Sequence, residues 1–168
     1  VDICGNFYAQ YPAASIPSDA IIGGAGGGSS IDLTSDISVN SLTIGRGSGN
    51  IASNSAVGYQ ALFNNTTGYN NSAVGRDALY FNTIGSFNCA VGFEALFDNT
   101  TGNFNQAVGN SALRANTTGN SNNAFGYEAL YRNTTGHNNI AFGYQALLNN
   151  TTGYYNCAVG TQALKTNT

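Results

Sequence analysis

A short motif, Ala followed by Val or Phe and then Gly, closes at Gly58, Gly75, Gly92, Gly109, Gly126, Gly143 and Gly160. The copies are evenly spaced (75 − 58 = 17), with no insertion anywhere. The pair Ala-Leu keeps the same interval at Leu62, Leu79, Leu96, Leu113, Leu130, Leu147 and Leu164. A unit of 17 residues cannot enclose a core alone, so neighbouring units must stack and share one. The period therefore predicts a β-rich repeat solenoid over 51–168, with a coil per unit. At the roughly 4.8 Å spacing of paired strands, seven coils make a rod about 34 Å long.

Within each coil the residues sort by role. Ala73 and Val74, preceded by Asn71 and closed by Gly75, form a short apolar run between turn formers, which predicts a small parallel strand at 72–75. The next stretch, "GYQALFNN" at 58–65, carries Gln60, Asp77, Glu94, Ser111, Glu128, Gln145 or Gln162 at its third position and then Ala-Leu. These are helix-favouring choices, and the pairs Tyr59 with Phe63, Phe93 with Phe97 and Tyr127 with Tyr131 vary together at the i,i+4 spacing. A short helical turn is expected here, with a second strand as the alternative. "NTTG" then supplies the return, starting at Asn65 and recurring to Gly153, with Ile84 replacing the second Thr once.

Asn54, Asn71, Asn88, Asn105, Asn122, Asn139 and Asn156 share one register position. They are expected either to stack as a ladder of side-chain amides or to form local turns. The loop pair typified by Tyr69 and Asn70 changes from coil to coil. Its aromatic members, Tyr69, Phe87, Phe104, His137, Tyr154 and Tyr155, are the candidate exposed contacts, with packing on the next coil as the alternative.

The chemistry-bearing residues are sparse. Only 8% of the chain is charged, against about 25% in a typical globular protein, and the net charge is −3. With five Lys plus Arg and no basic run, no nucleic-acid partner is expected. No stretch reaches the roughly 20 apolar residues of a membrane span. The acids Asp77, Glu94 and Glu128 repeat at one outward position with no base or nucleophile beside them, so no enzyme activity is expected. A paired-carboxylate site would need a second subunit. "GGAGGG" lacks the Lys and Ser/Thr of a phosphate loop. Neither a cofactor nor a metal site is expected. Cys89 and Cys157 lie four units apart, beyond disulfide reach, and read with Cys4 as small buried side chains. Asn65, Asn99, Asn116, Asn133 and Asn150 each open an Asn-Thr-Thr tripeptide that satisfies the N-glycan acceptor pattern. Their turn-forming role explains the same residues.

The first 50 residues differ. They mix aromatics, Pro and the glycine stretch "GGAGGGSS" at 23–30, and read as an N-terminal arm for anchoring or assembly. "SLTIGRGSG" at 41–49 looks like a degenerate strand and turn leading into the first coil. The last unit stops part-way through a turn, which predicts continuation or a partner there.

"NSAVG" at 54–58 and 71–75, with "NCAVG" at 88–92 and 156–160, resembles the head repeats of trimeric autotransporter adhesins. The whole unit more closely resembles repeats in phage tail-fibre proteins and algal-virus glycoproteins. The longer period and the Ala-Leu segment depart from the adhesin pattern. The resemblance implies a homotrimeric fibre on a virion or extracellular surface, anchored through the N-terminal arm and meeting host surface glycans. A self-assembling extracellular filament subunit, or a cell-surface adhesin, is the alternative.

Overall fold

A computed structural model describes residues 36–39 and 42–166. The expected N-terminal arm up to residue 35, with its glycine stretch and Cys4, lies outside the described residues. The compact unit Thr34–Thr168 is a β-solenoid. Its single sheet has nine strands in chain order: β1 (Ile37–Val39), β2 (Leu42–Gly45), β3 (Ser55–Gly58), β4 (Ser72–Val74), β5 (Cys89–Val91), β6 (Gln106–Val108), β7 (Asn123–Phe125), β8 (Ile140–Phe142) and β9 (Cys157–Val159).

The expected strand is therefore present in every coil. From β3 onward the pairing is parallel and in register, Ala56 on Ala73 on Ala90 and so to Ala158. The first two strands run antiparallel, with Ile37 opposite Ile44 and Gly45 opposite Ala56. The Asp36 carboxylate accepts backbone N–H bonds from Arg46 at 2.6 Å and Gly47 at 2.9 Å, holding the chain as it leaves this hairpin. The sheet thus begins before the first full repeat.

No helix occurs among the described residues, which corrects the expected helical turn. Residues 59–64 and their equivalents alternate in backbone sign. Gln60, Asp77, Glu94, Ser111, Glu128, Gln145 and Gln162 have φ of 51° to 58°, and the Leu two places later has φ of 48° to 52° in every coil. An α-helix needs negative φ throughout. The backbone here makes long local turn bonds, such as Ala78 N–H to the Gly75 carbonyl at 3.4 Å, and shorter bonds to neighbouring coils. Asp77 donates its N–H to the Tyr59 carbonyl behind it, while Leu79 and Phe81 donate forward to the Ala95 and Phe97 carbonyls, at 2.8 to 3.0 Å. The ring contacts follow the same direction: Phe63, Tyr80 and Phe97 stack down one column at 5.5 and 5.3 Å. Rings expected to pair within one turn instead stack on their register equivalents in the next coil, as Tyr127 does on Tyr144 at 5.5 Å.

The interior is narrow. Each of the first six coils contributes two Ala and one Leu to the core, as Ala73, Ala78 and Leu79 do in the second. A buried Leu is worth about 1.5–3 kcal/mol and each Ala much less, so apolar burial alone is thin. Amides fill the rest of the interior. In the expected Asn ladder, the Asn71 backbone N–H donates to Asn54 Oδ1 at 2.8 Å, and Asn88 repeats this onto Asn71 at 3.0 Å. A second Asn column, unforeseen from the sequence, runs through Asn65, Asn82, Asn99, Asn116, Asn133 and Asn150. Each Nδ2 from Asn82 onward donates to the previous Oδ1 at 2.8 to 3.0 Å. The two columns meet on the glycine of each return. Gly85 O accepts from Asn71 Nδ2 at 2.8 Å and from Asn82 Nδ2 at 3.0 Å, so both of its lone pairs are used.

Two glycine columns let the coils come this close. Gly58, Gly75, Gly92, Gly109, Gly126, Gly143 and Gly160 have φ of 125° to 146°, where only glycine is at ease. A side chain on any of the first six would also overlap the carbonyl of the next coil's glycine. At Gly68, Gly85, Gly102 and Gly119 a Cβ would strike both the next coil's glycine carbonyl and the Asn that opens the turn.

Candidate functional site

With the interior committed to stacking, recognition is left to the outer rows. Strand alternation buries the Ala56 column and turns residues two apart outward. The outer sheet face therefore carries one row of Val57, Val74, Val91, Val108, Phe125, Phe142 and Val159. Its second row is Ser55, Ser72, Cys89, Gln106, Asn123, Ile140 and Cys157. Neither row contains a charge. Val57, Val74, Val91, Ile140, Phe142 and Val159 are exposed large apolar groups, and Phe125 stacks on Phe142 at 4.5 Å. The two cysteines were expected to be buried. Cys89 is half-buried and Cys157 exposed, because their register position points away from the alanine column.

The loop residues expected to make contacts fall into two clusters. Tyr69 meets Phe87 edge-on at 5.2 Å, and Phe87 stacks on Phe104 at 4.9 Å. Further along, His137 stacks on Tyr154 at 5.3 Å, and Tyr155 sits edge-on to both. All six are exposed. The coil between the clusters carries Asn120 and Ser121 instead, and Asn120 Oδ1 accepts from the Asn103 backbone N–H at 2.8 Å. A ring stacked between coils shares its faces with its neighbours and offers mainly its edge to solvent. The placement thus combines the two readings of these residues: they are exposed, and they pack coil on coil.

The surface that sequence reasoning missed is the wall formed by residues 59, 60, 63 and 64 of the first coil and their equivalents. Every charged residue from position 51 to 166 stands on it: Arg76, Asp77, Glu94, Asp98, Arg114, Glu128, Arg132 and Lys165. Mapping charges onto the 17-residue register would have revealed it. The Arg76 guanidinium lies between the Tyr59 and Phe93 rings, 5.6 and 5.8 Å from their centroids. Arg114 lies between Phe97 and Tyr131 at 4.9 and 6.0 Å. Such contacts let a cation occupy a column of rings at little cost.

Arg114 is also the centre of the main ion-pair cluster. Its Nε donates to Glu94 Oε2 at 2.6 Å, and its Nη1 lies 3.6 Å from Asp98 Oδ2. The Glu94 hydrogen bond holds the guanidinium proton more tightly, partly offset by burial. Burial lifts the Asp98 carboxyl above its ordinary range; Arg114 opposes this and Glu94 adds to it. One outward acid proves to be inside. Asp77 is buried, with Oδ2 on Arg76 Nε at 3.0 Å and Oδ1 lacking a hydrogen-bond partner. Glu94 and Glu128 remain half-buried on the wall, where Gln145 donates to Glu128 at 2.8 Å.

Among the described residues no group of three or more His, Cys, Asp or Glu is placed to hold a metal ion. No helix among them is long and apolar enough to cross a membrane. No family model, no curated protein and no solved structure matches this chain.

Proposed function

We propose that this chain is a structural and adhesive fibre or stalk component, carried on a virion or cell surface and used for attachment. The observation that carries the reading is the unbroken coil-to-coil ladder. Backbone bonds, two amide columns and two glycine columns all run along the rod, and no insertion interrupts them. That arrangement resists bending and extends simply by adding units, which are the mechanical needs of a spacer.

The proposed fibre is a homotrimer. Its support is the uncharged outer sheet face, whose Val and Phe row would be covered by like faces of other copies, as large exposed apolar patches commonly are. The loop clusters and the charged wall then remain for a partner, with surface glycans as the candidate class. The N-terminal arm is the proposed anchor, and the chain itself is proposed to be non-catalytic.

Mass measurement in solution tests the assembly. Three chains per particle are expected, and Phe142→Glu should lower that number by placing a charge on the apolar face. A stable monomer of the unaltered chain would sink the trimer. Micrographs showing indefinite filaments of the purified protein would replace it with end-to-end assembly.

A further inference from the structure

The five Asn-Thr-Thr corners acquire a chemical consequence once their asparagines are located. Asn65, Asn99, Asn116, Asn133 and Asn150 are all buried. Each spends both Nδ2 hydrogens inside the rod. Asn116 donates to Asn99 Oδ1 at 2.8 Å and Gly119 O at 3.0 Å; Asn133 donates to Asn116 Oδ1 at 2.8 Å and Gly136 O at 3.0 Å. Asn99 and Asn150 repeat the pattern, and Asn65 uses the Ser48 and Gly68 carbonyls.

N-linked glycosylation acts on that same nitrogen. Transfer forms a bond between Nδ2 and the anomeric carbon of the sugar and breaks that carbon's bond to a lipid-linked diphosphate. Lipid diphosphate and one proton are released. The product amide keeps a single N–H, so at least one ladder bond is lost. The sugar must also occupy space that the next coil fills.

Three further asparagines carry the acceptor pattern among the described residues: Asn64, Asn70 and Asn149. Asn64 and Asn149 are half-buried, and Asn64 Nδ2 already donates to Tyr80 O at 3.0 Å. Asn70 is exposed in the variable loop, with φ of 54° and its backbone N–H on Ser53 Oγ at 3.1 Å.

We propose that N-glycans and the folded rod are mutually exclusive at the five Asn-Thr-Thr corners, and that Asn70 is the asparagine on which the folded rod accepts one. The corners are the better acceptor sequences by pattern alone, yet the fold reverses that ranking. A chain that meets an oligosaccharyltransferase before folding is thereby blocked, whereas one that folds first is modified at its loop. This holds whatever the rod attaches to.

The coil containing Ile84 supplies the control. There the tripeptide is Asn82-Thr83-Ile84, which is no acceptor, and Asn82 keeps its place in the ladder at 2.8 Å from Asn65. The five-fold variant Thr67→Ile, Thr101→Ile, Thr118→Ile, Thr135→Ile and Thr152→Ile removes the corner acceptors without touching any asparagine.

Two measurements decide the matter. The full chain, folded without glycosylation, is incubated with an oligosaccharyltransferase and a lipid-linked oligosaccharide, and its glycopeptides are mapped. Sugar at Asn70 and none at Asn99, Asn116 or Asn133 is expected; sugar at Asn116, or a bare Asn70 beside a modified corner, overturns the proposal. The unaltered chain is also routed through a eukaryotic secretory pathway and split into protease-resistant and protease-sensitive fractions. Corner sugars should be depleted in the resistant fraction by about tenfold or more, the ratio set by one lost buried hydrogen bond. The five-fold variant should restore the resistant rod. Equal corner occupancy in the two fractions overturns the proposal even if the variant itself folds poorly.

Discussion

The strand wall and the turn wall of this rod contribute to the same Ala-Leu core, yet they are built from different backbone conformations. On the strand wall, residues such as Cys89–Val91 pair in ordinary parallel register. On the turn wall, Ser111 and Leu113 carry φ of 56° and 52°, in the left-handed region that costs an L-residue about 1–2 kcal/mol. Both walls nevertheless end with backbone groups bonded to adjacent coils at about the same distances. The requirement that repeats is thus satisfaction of every buried N–H and C=O along the axis, and extended backbone is one way among several of meeting it.

Four substitutions separate the roles of the two walls and of the groups between them. Gly109→Ala strikes the end of the strand wall, where φ is 138° and the new methyl overlaps the Gly126 carbonyl. A loss above about 4 kcal/mol is expected, a range reached only by severe single changes. Hydrogen exchange should show the coils on either side of it opening together; local fraying alone would mean that the wall yields more easily than its geometry says.

Asn116→Ala removes an amide from the buried column at the corner of the coil, where the turn wall runs into the return. It leaves Asn99 Oδ1 and Gly119 O each short of a donor and takes from Asn133 Nδ2 an acceptor. About 3 kcal/mol or more should be lost, since each buried unsatisfied group costs about 1–3 kcal/mol. Asn120→Ala, in the exposed loop, is the control, and urea denaturation should find it less than half as costly. Equal effects would demote the buried column to a turn device.

Ser111→Asn goes the other way. Asn tolerates left-handed φ better than Ser, and the same row already holds Gln60, Asp77 and Glu94. A gain of up to about 1 kcal/mol is expected from the relieved backbone, read as a raised denaturation midpoint. A loss would show that the Ser111 bond to Asn110 Oδ1 at 2.9 Å matters more than the backbone.

Asp98→Asn should have the smallest effect. Because burial raises the folded-state value, the folded chain holds the Asp98 proton to higher pH than the unfolded chain does. This group therefore favours folding as pH falls through that value and opposes it above. The variant should melt slightly higher than the parent at pH 7, its half-exposed pairing with Arg114 being worth little. The advantage should vanish below about pH 4, near the ordinary aspartate range. A difference that stays constant across this window would assign it to packing instead.

Much of this fold was legible in the residues. The interval between Gly58 and Gly75 fixes the coil length, and the strand at 72–74 follows from an apolar run between turn formers. The shared register of Asn54, Asn71 and Asn88 leaves an amide ladder and a local turn equally open, and the fold selects the ladder. The turn segment was misread because Ala-Leu and the i,i+4 pairing of Tyr59 with Phe63 mimic a helix. In a stacked array the same residues also meet their copies 17 places away, and a single chain segment cannot say which neighbour counts. Asn65 was hidden for a related reason. Asn-Thr-Thr-Gly explains itself as a turn, and nothing local reveals that its amide points inward.

Sequence alone determined periodicity, the strand, the glycine spacing and the near-absence of charge, since these depend on residue identity and chain separation. Only the stacked fold set the left-handed turn wall, the second amide column and the outward cysteines. Each of these depends on which groups the stacking of coils brings together. Across that stack a residue's partner is set by the coil before or after it, and its own sequence neighbours carry no record of the choice.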